Sequence, residues 1–134
     1  MVVQIAVVED EPGLRSLYSL FLKSQGYNVA FSVAGVEESV NAYAACCEKP
    51  ALIIMDVRLE DGSGIDAARR IFAADPGARF IFATAEADQV NHSSMGGVIS
   101  VLQKPFSLKE LADAIRKGIT EPCVSPIQLY PGYA

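Results

Sequence analysis

The sequence predicts an α/β domain: a five-stranded parallel sheet, doubly wound, with a helix after each strand. Three observations carry that expectation. Short apolar runs recur five times along the 134 residues, as VQIAVV, YNVAF, ALIIMD, RFIFAT and VISVLQ. Longer segments with helical spacing separate them. The runs are near-continuously apolar rather than alternating, which suits strands covered on both faces.

Each element follows from its residues. Behind Pro12, a first-turn position, Leu14, Leu17, Tyr18, Phe21 and Leu22 share one helical face and Leu20 lies off it. In the second helix Val36, Val40, Tyr43, Ala44 and Cys47 fall together. The third carries Ile65, Ala68 and Phe72 and stops at Asp75-Pro76-Gly77. The fourth, from Asp88 to Met95, is short and poor in apolar residues; it holds the sole histidine, His92, expected to be exposed. The fifth opens with a Ser107–Glu110 capping box and buries Leu108, Leu111, Ala112 and Ile115. Past Gly118 the segment TEPCVSPIQLYPGYA turns proline-rich, so the domain is expected over residues 1–119 and a tail or linker over 120–134.

Composition narrows the function. A net charge of -5 argues against a general nucleic-acid surface, which needs clustered Lys and Arg. No apolar run approaches the roughly 18 residues of a membrane span, and the start lacks a signal-peptide pattern. Cys46, Cys47 and Cys123 form no disulfide-like framework, which suits a reducing, cytoplasmic setting.

Right-handed crossovers bring the carboxyl ends of the strands to one edge. There the sequence places Glu9, Asp10 and Glu11 after the first strand, Asp56 after the third, Thr84 after the fourth and Lys104-Pro105 after the fifth. Singly, each has a structural explanation: a turn former, a β-branched strand residue, a solvated charge. Together they suit phosphoryl transfer to a carboxylate. Clustered acids attract a hard cation such as Mg²⁺, which takes oxygen ligands. With phosphoryl charge neutralised, Asp56 would be the nucleophile. Lys104 would supply a positive point charge and Thr84 a hydroxyl donor. On this reading the three opening acids form the metal cradle.

The motifs VVEDEP, IIMDVRLEDGSG, FATA and LQKPF occur in order, with Asp56 lying 46 residues after Asp10 and Lys104 48 after Asp56. The chain thereby resembles the receiver domains of bacterial two-component response regulators over about residues 3 to 118. The resemblance implies a flavodoxin-like fold and a phospho-acceptor at Asp56. It implies Asp10 as a direct metal ligand, Glu9 acting mainly through a metal-bound water, and the Arg58 carbonyl as a further ligand. Thr84 would be the switch hydroxyl and Lys104 the phosphate-binding lysine, with a cis peptide before Pro105. Implied partners are a sensor histidine kinase or histidine phosphotransfer protein, often docked on the first helix, and a downstream protein or output domain. Catalysis would be limited to the protein's own phosphorylation and dephosphorylation.

Two positions depart from that family's usual form. Val101 stands where an aromatic switch ring is usual, and Glu60 replaces a proline, which predicts a more open loop through Glu60-Asp61-Gly62-Ser63-Gly64. The Phe82-Ala83-Thr84 triplet is similar to a branch of single-domain receivers without the aromatic switch, although Ala85 and Glu86 stand where that branch has glycine. Arg58 and Glu86 flank the water path to the site, either paired or extended into solvent. A haloacid-dehalogenase-type phosphatase would need a second acid two residues past its nucleophile, where this chain has Arg58. An unphosphorylated interaction module would not need the full set of Asp10, Asp56, Thr84 and Lys104.

Overall fold

The structure is a computed structural model and describes residues 2–90 and 95–120. Strands β1 (Gln4–Val8), β2 (Asn28–Val33), β3 (Leu52–Asp56), β6 (Phe80–Thr84) and β7 (Val98–Gln103) form one parallel sheet in the order β2-β1-β3-β6-β7. The central β3 and β6 are buried along their whole length, whereas the edges β2 and β7 are only half-buried. Alternate residues of the central strands therefore feed two cores. Ile53, Met55, Phe80 and Phe82 pack under α2 (Val36–Ala45) and α3 (Gly64–Ala74). Leu52, Ile54 and Ile81 pack under α1 (Pro12–Ser24) and α4 (Leu108–Thr120). Each fully buried aliphatic side chain contributes about 1.5–3 kcal/mol relative to exposure.

The five-stranded sheet is as expected, and several details differ. Four α-helices occur among the described residues. Of the fourth helix expected over Asp88 to Met95, the described start is a 3₁₀ turn at Ala87–Gln89, and the middle of that span lies outside the described residues. Residues 91–94, with His92, lie outside the described residues, as does the tail from 121 with Cys123. Leu17 and Leu108 are not core residues: they are 43% and 39% exposed. They line a groove of about 510 Å³ together with Leu14, Tyr18, Pro105 and Phe106. Helix α2 ends at Ala45, which leaves Cys47 exposed beyond it. The capping box forms, with Glu110 N–H donating to Ser107 Oγ at 3.0 Å.

The loop after β3 is not open. It folds into a two-residue hairpin of β4 (Arg58–Leu59) and β5 (Gly62–Ser63), anchored by buried Leu59. Gly62 takes φ +148, which a side chain would oppose. At Gly64 a Cβ would lie 1.9 Å from the Asp56 carbonyl oxygen, so only glycine lets α3 start this close to the strand end. The hairpin also reaches α2. That helix begins at Gly35 with no side-chain cap of its own. Instead Asp61 accepts from Val36 N–H at 2.7 Å and Glu37 N–H at 3.2 Å. At the other end of α2, the Tyr43 hydroxyl donates to Asp75 at 2.5 Å.

Asp61→Ala should lower the melting temperature, and Asp61→Asn should retain most of it, because asparagine caps a helix nearly as well as aspartate. Bonds from the Val36 and Glu37 amides hold the Asp61 carboxyl below its usual 3.8. A depressed folded value stabilises above the unfolded pKa and loses that stabilisation as pH falls through the folded one. The gap between wild type and Asp61→Ala should thus narrow in acid, as melts at pH 7 and below pH about 3 would show. A constant gap would contradict the capping role.

Candidate functional site

At the carboxyl edge the predicted residues meet. Glu9, just past β1, is 2% exposed, and Asp56 and Thr84 end β3 and β6 as buried polar residues. Lys104 follows β7 and precedes a cis peptide to Pro105. Its Nζ lies 2.9 Å from Glu9 Oε1 and 3.2 Å from Asp56 Oδ2. Burial alone would lower the Lys104 pKa, but the Glu9 bond and the charges of Asp56 and Glu9 outweigh it and hold it above the ordinary lysine value. Backbone donors help to satisfy the acids. Glu11 N–H donates to Glu9 Oε2 at 3.1 Å, and Arg58 N–H to Asp56 Oδ1 at 3.3 Å.

Glu9, Asp10 and Asp56 each present a carboxylate oxygen, all within 4.8 Å of one another. Three acids against one lysine leave the pocket negative. Partial burial, together with the hydrogen bond and charge of Glu9, keeps Asp10 above the usual carboxylate value. That donor set, all hard oxygens with excess negative charge, fits a hard divalent cation. The third opening acid does not belong to it. Glu11 caps α1, accepting from Gly13 N–H at 3.0 Å and Leu14 N–H at 2.7 Å. Its side chain is committed to two of the free amides of the helix start, which corrects the expectation of a three-acid cradle.

Thr84 Oγ1 accepts from Glu86 N–H at 3.1 Å. Arg58 and Glu86 do pair, at 2.5 Å, with Arg58 largely exposed. Val101 sits opposite Phe82 in the sheet and packs, half-buried, on the α2–α3 core. Sequence reasoning missed Asp61 and Gln103. The Gln103 amide donates to the Ala85 and Lys104 carbonyls, and its oxygen accepts from Ala87 N–H at 2.9 Å. The available signal was a polar residue just before Lys104, at the end of a run otherwise apolar but for Ser100.

Fold and site together define the class: a doubly wound α/β module with a metal-competent carboxylate pocket closed by a lysine. The response regulator receiver domain family matches residues 5–116. The chain is 28% identical to sporulation initiation phosphotransferase F of Bacillus subtilis, over 85% of this chain and 91% of that one. It is 32% identical to the transcriptional regulatory protein PdtaR of Mycobacterium tuberculosis, over 87% of this chain but 57% of that one. It spans about half the length of several other curated relatives. The Thermotoga maritima response regulator TrrA, solved in complex with Mg²⁺-BeF, superposes with a TM-score of 0.75 at 26% identity, covering 87% of this chain and 99% of that one. The chain belongs to the response regulator receiver domain family, and with it to phosphorylation-dependent two-component signalling.

Because the native environment favours protonated Asp10, its ionisation costs stability as pH rises from 3.8 through the raised folded value. Asp10→Asn should therefore raise the melting temperature at pH 7 in the presence of a chelator. An unchanged or lower melting temperature would show that the acids do not repel one another.

Proposed function

We propose that Asp56 accepts a phosphoryl group from a sensor histidine kinase or histidine phosphotransfer protein. The observation that carries this reading is the Lys104 ammonium group 3.2 Å from Asp56 and 2.9 Å from Glu9, within a pocket of three close carboxylates. Asp56, Glu9, Asp10 and the Arg58 carbonyl would hold Mg²⁺, which when bound supplies positive charge against the phosphoryl oxygens. An Asp56 oxygen forms the new bond to phosphorus while the bond to the donor imidazole breaks. Lys104 then faces a phosphoryl oxygen, and the Thr84 hydroxyl donates to another. Catalysis is confined to the protein's own phosphorylation and dephosphorylation. A phosphatase of the second-acid type finds no support, because position 58 is an arginine paired with Glu86.

The donor would dock on the α1 side. The groove of Leu14, Leu17, Tyr18, Pro105, Phe106 and Leu108 is apolar and reaches Lys104. Exposed Leu20 extends α1's apolar surface. Such a patch suits the apolar face of a helix carrying the phosphohistidine. A cytoplasmic setting fits this partner, and no described helix is long and apolar enough to cross a membrane. The output is a downstream protein or an attached domain rather than direct nucleic-acid binding, and the domain would span residues 1–119 with 120–134 as tail or linker.

With acetyl phosphate and Mg²⁺ the protein should gain the mass of one phosphoryl group. Asp56→Asn should gain none, and chelator should abolish uptake. Equal uptake by Asp56→Asn would refute the assignment.

The Arg58–Glu86 pair joins the residue two past Asp56 to the residue two past Thr84, and should slow water attack on the phosphorylated form. Removing both side chains should speed dephosphorylation, by up to about tenfold if the barrier falls by about 1.4 kcal/mol. An exposed pair contributes only about 0–1 kcal/mol to stability, so the melts should barely change. Decay rates of wild type, both alanine single mutants and the double mutant also give the coupling between the two residues. Four equal rates would leave the pair without a role at the site.

A further inference from the structure

The segment leaving β6 is anchored by a side chain of the neighbouring strand. In β6–β7 register, Thr84 lies opposite Gln103, and Lys104 N–H donates to the Thr84 carbonyl at 2.7 Å. From this position the Gln103 side chain reaches over the exit of β6. Its Nε2 donates to the Ala85 carbonyl and, at 3.2 Å, to the Lys104 carbonyl, and its Oε1 accepts from Ala87 N–H at 2.9 Å. Two carbonyls face one end of the amide and an N–H faces the other, so only one orientation satisfies all three partners.

The next link is the hydroxyl itself. Thr84 Oγ1 is held by Glu86 N–H, an amide between the two that Gln103 grips. Drawing Oγ1 toward a phosphoryl oxygen strains or breaks that bond and pulls on residues 85–87. No ring lies at position 101 to register the movement; Val101 is a small side chain packed on the α2–α3 core. Among the described residues of this segment, Ala87–Gln89 form a single 3₁₀ turn. Short 3₁₀ segments have poorer hydrogen-bond geometry than α-helix.

We propose that Gln103 is the positioning residue that fixes Ala85–Ala87 in the unphosphorylated protein. Its release when Thr84 moves then carries the phosphorylation signal to the segment after β6. The inference rests on the phospho-acceptor reading above and deepens it. The bonds of the Gln103 side chain go to Ala85, Ala87 and the Lys104 backbone carbonyl and none to Glu9, Asp10 or Asp56, so its replacement should leave phosphoryl uptake intact.

The test is amide exchange of Ala87, followed by NMR in the full chain, with and without beryllium fluoride and Mg²⁺, for wild type, Gln103→Leu and Gln103→Asn. Leucine keeps the bulk and loses the amide, whereas asparagine keeps the amide and loses the reach. In the unliganded protein both variants should exchange Ala87 faster by roughly three- to tenfold, as loss of one hydrogen bond of ordinary net worth predicts. Beryllium fluoride should speed Ala87 exchange in wild type and change it little in either variant. Intact mass after acetyl phosphate separates the two readings. A wild type that gains no phosphoryl mass sinks the phospho-acceptor reading and this inference with it. Normal uptake, with Ala87 exchange equal in wild type and variants, or with an undiminished fluoride response in both variants, overturns the role of Gln103 alone.

Discussion

Lys104 holds together groups that the fold gathers at one edge and that their like charge would drive apart. Glu9 arrives from β1, Asp56 from β3 and the lysine from β7, at sequence separations of 95 and 48. Two carboxylates so little exposed each lose several kcal/mol of hydration, of the order expected for buried ions. The ammonium group and the backbone amides of Glu11 and Arg58 offset that cost. They do not offset all of it, since Asp10, partly buried and beside Glu9, is pushed toward the protonated form. Such a pocket cannot be justified by stability alone. The sheet and its two cores supply the surplus, and the fold spends part of it holding a negative hollow ready for a cation and a phosphoryl group.

The surroundings of the pocket are tied down unevenly. On the α2–α3 side, Asp61 caps α2, Arg70 pairs with Glu37 between the helices, and buried Tyr43 bonds Asp75 at the far end. Gly64 seats α3 directly against the Asp56 backbone. Those links make the loop after β3, α2 and α3 one packed body. The exit of β6 is held differently, by Gln103, by the Thr84–Glu86 bond and by the Arg58–Glu86 pair, all at or near the surface. Polar contacts of this kind have net values of about 1 kcal/mol or less. Segments with few buried apolar anchors open at low cost, so a change at Asp56 has its easiest outlet there.

What the sequence made legible follows the same division. The five strands were readable because burial on both faces writes a long apolar run, and the site was readable because parallel topology sends every strand end to one edge. Glu9, Asp10, Asp56, Thr84 and Lys104 needed only that rule to be brought together. Side chains whose partners are distant in sequence were not readable. Asp61 serves a helix start 25 residues away, and nothing in its own neighbourhood announces this. Leu17 and Leu108 carry the spacing of core residues yet line a groove, because periodicity reports a helical face and not what covers it. Glu11 was misassigned for a related reason. Three consecutive acids suggest one purpose, but the chain turns into α1 at that point, and the third carboxylate folds back on the helix amides.

The groove and the pocket share a wall. Lys104 closes the carboxylate cluster and also lines the groove, and the Pro105-Phe106 step that follows it forms much of the apolar floor, with Phe106 stacked on Tyr18 at 6.1 Å. A partner seated on that floor would therefore rest beside the one cation in the cluster. Docking and charge neutralisation would then be read by the same short stretch after β7. Apolar contact with Leu17 and Leu108 would supply area without touching the acids, and the acids would exclude partners that bring further negative charge without a cation. On the proposed reading the separation of labour would be spatial: recognition on the α1–α4 side, chemistry at the strand ends, and conformational response at the exit of β6.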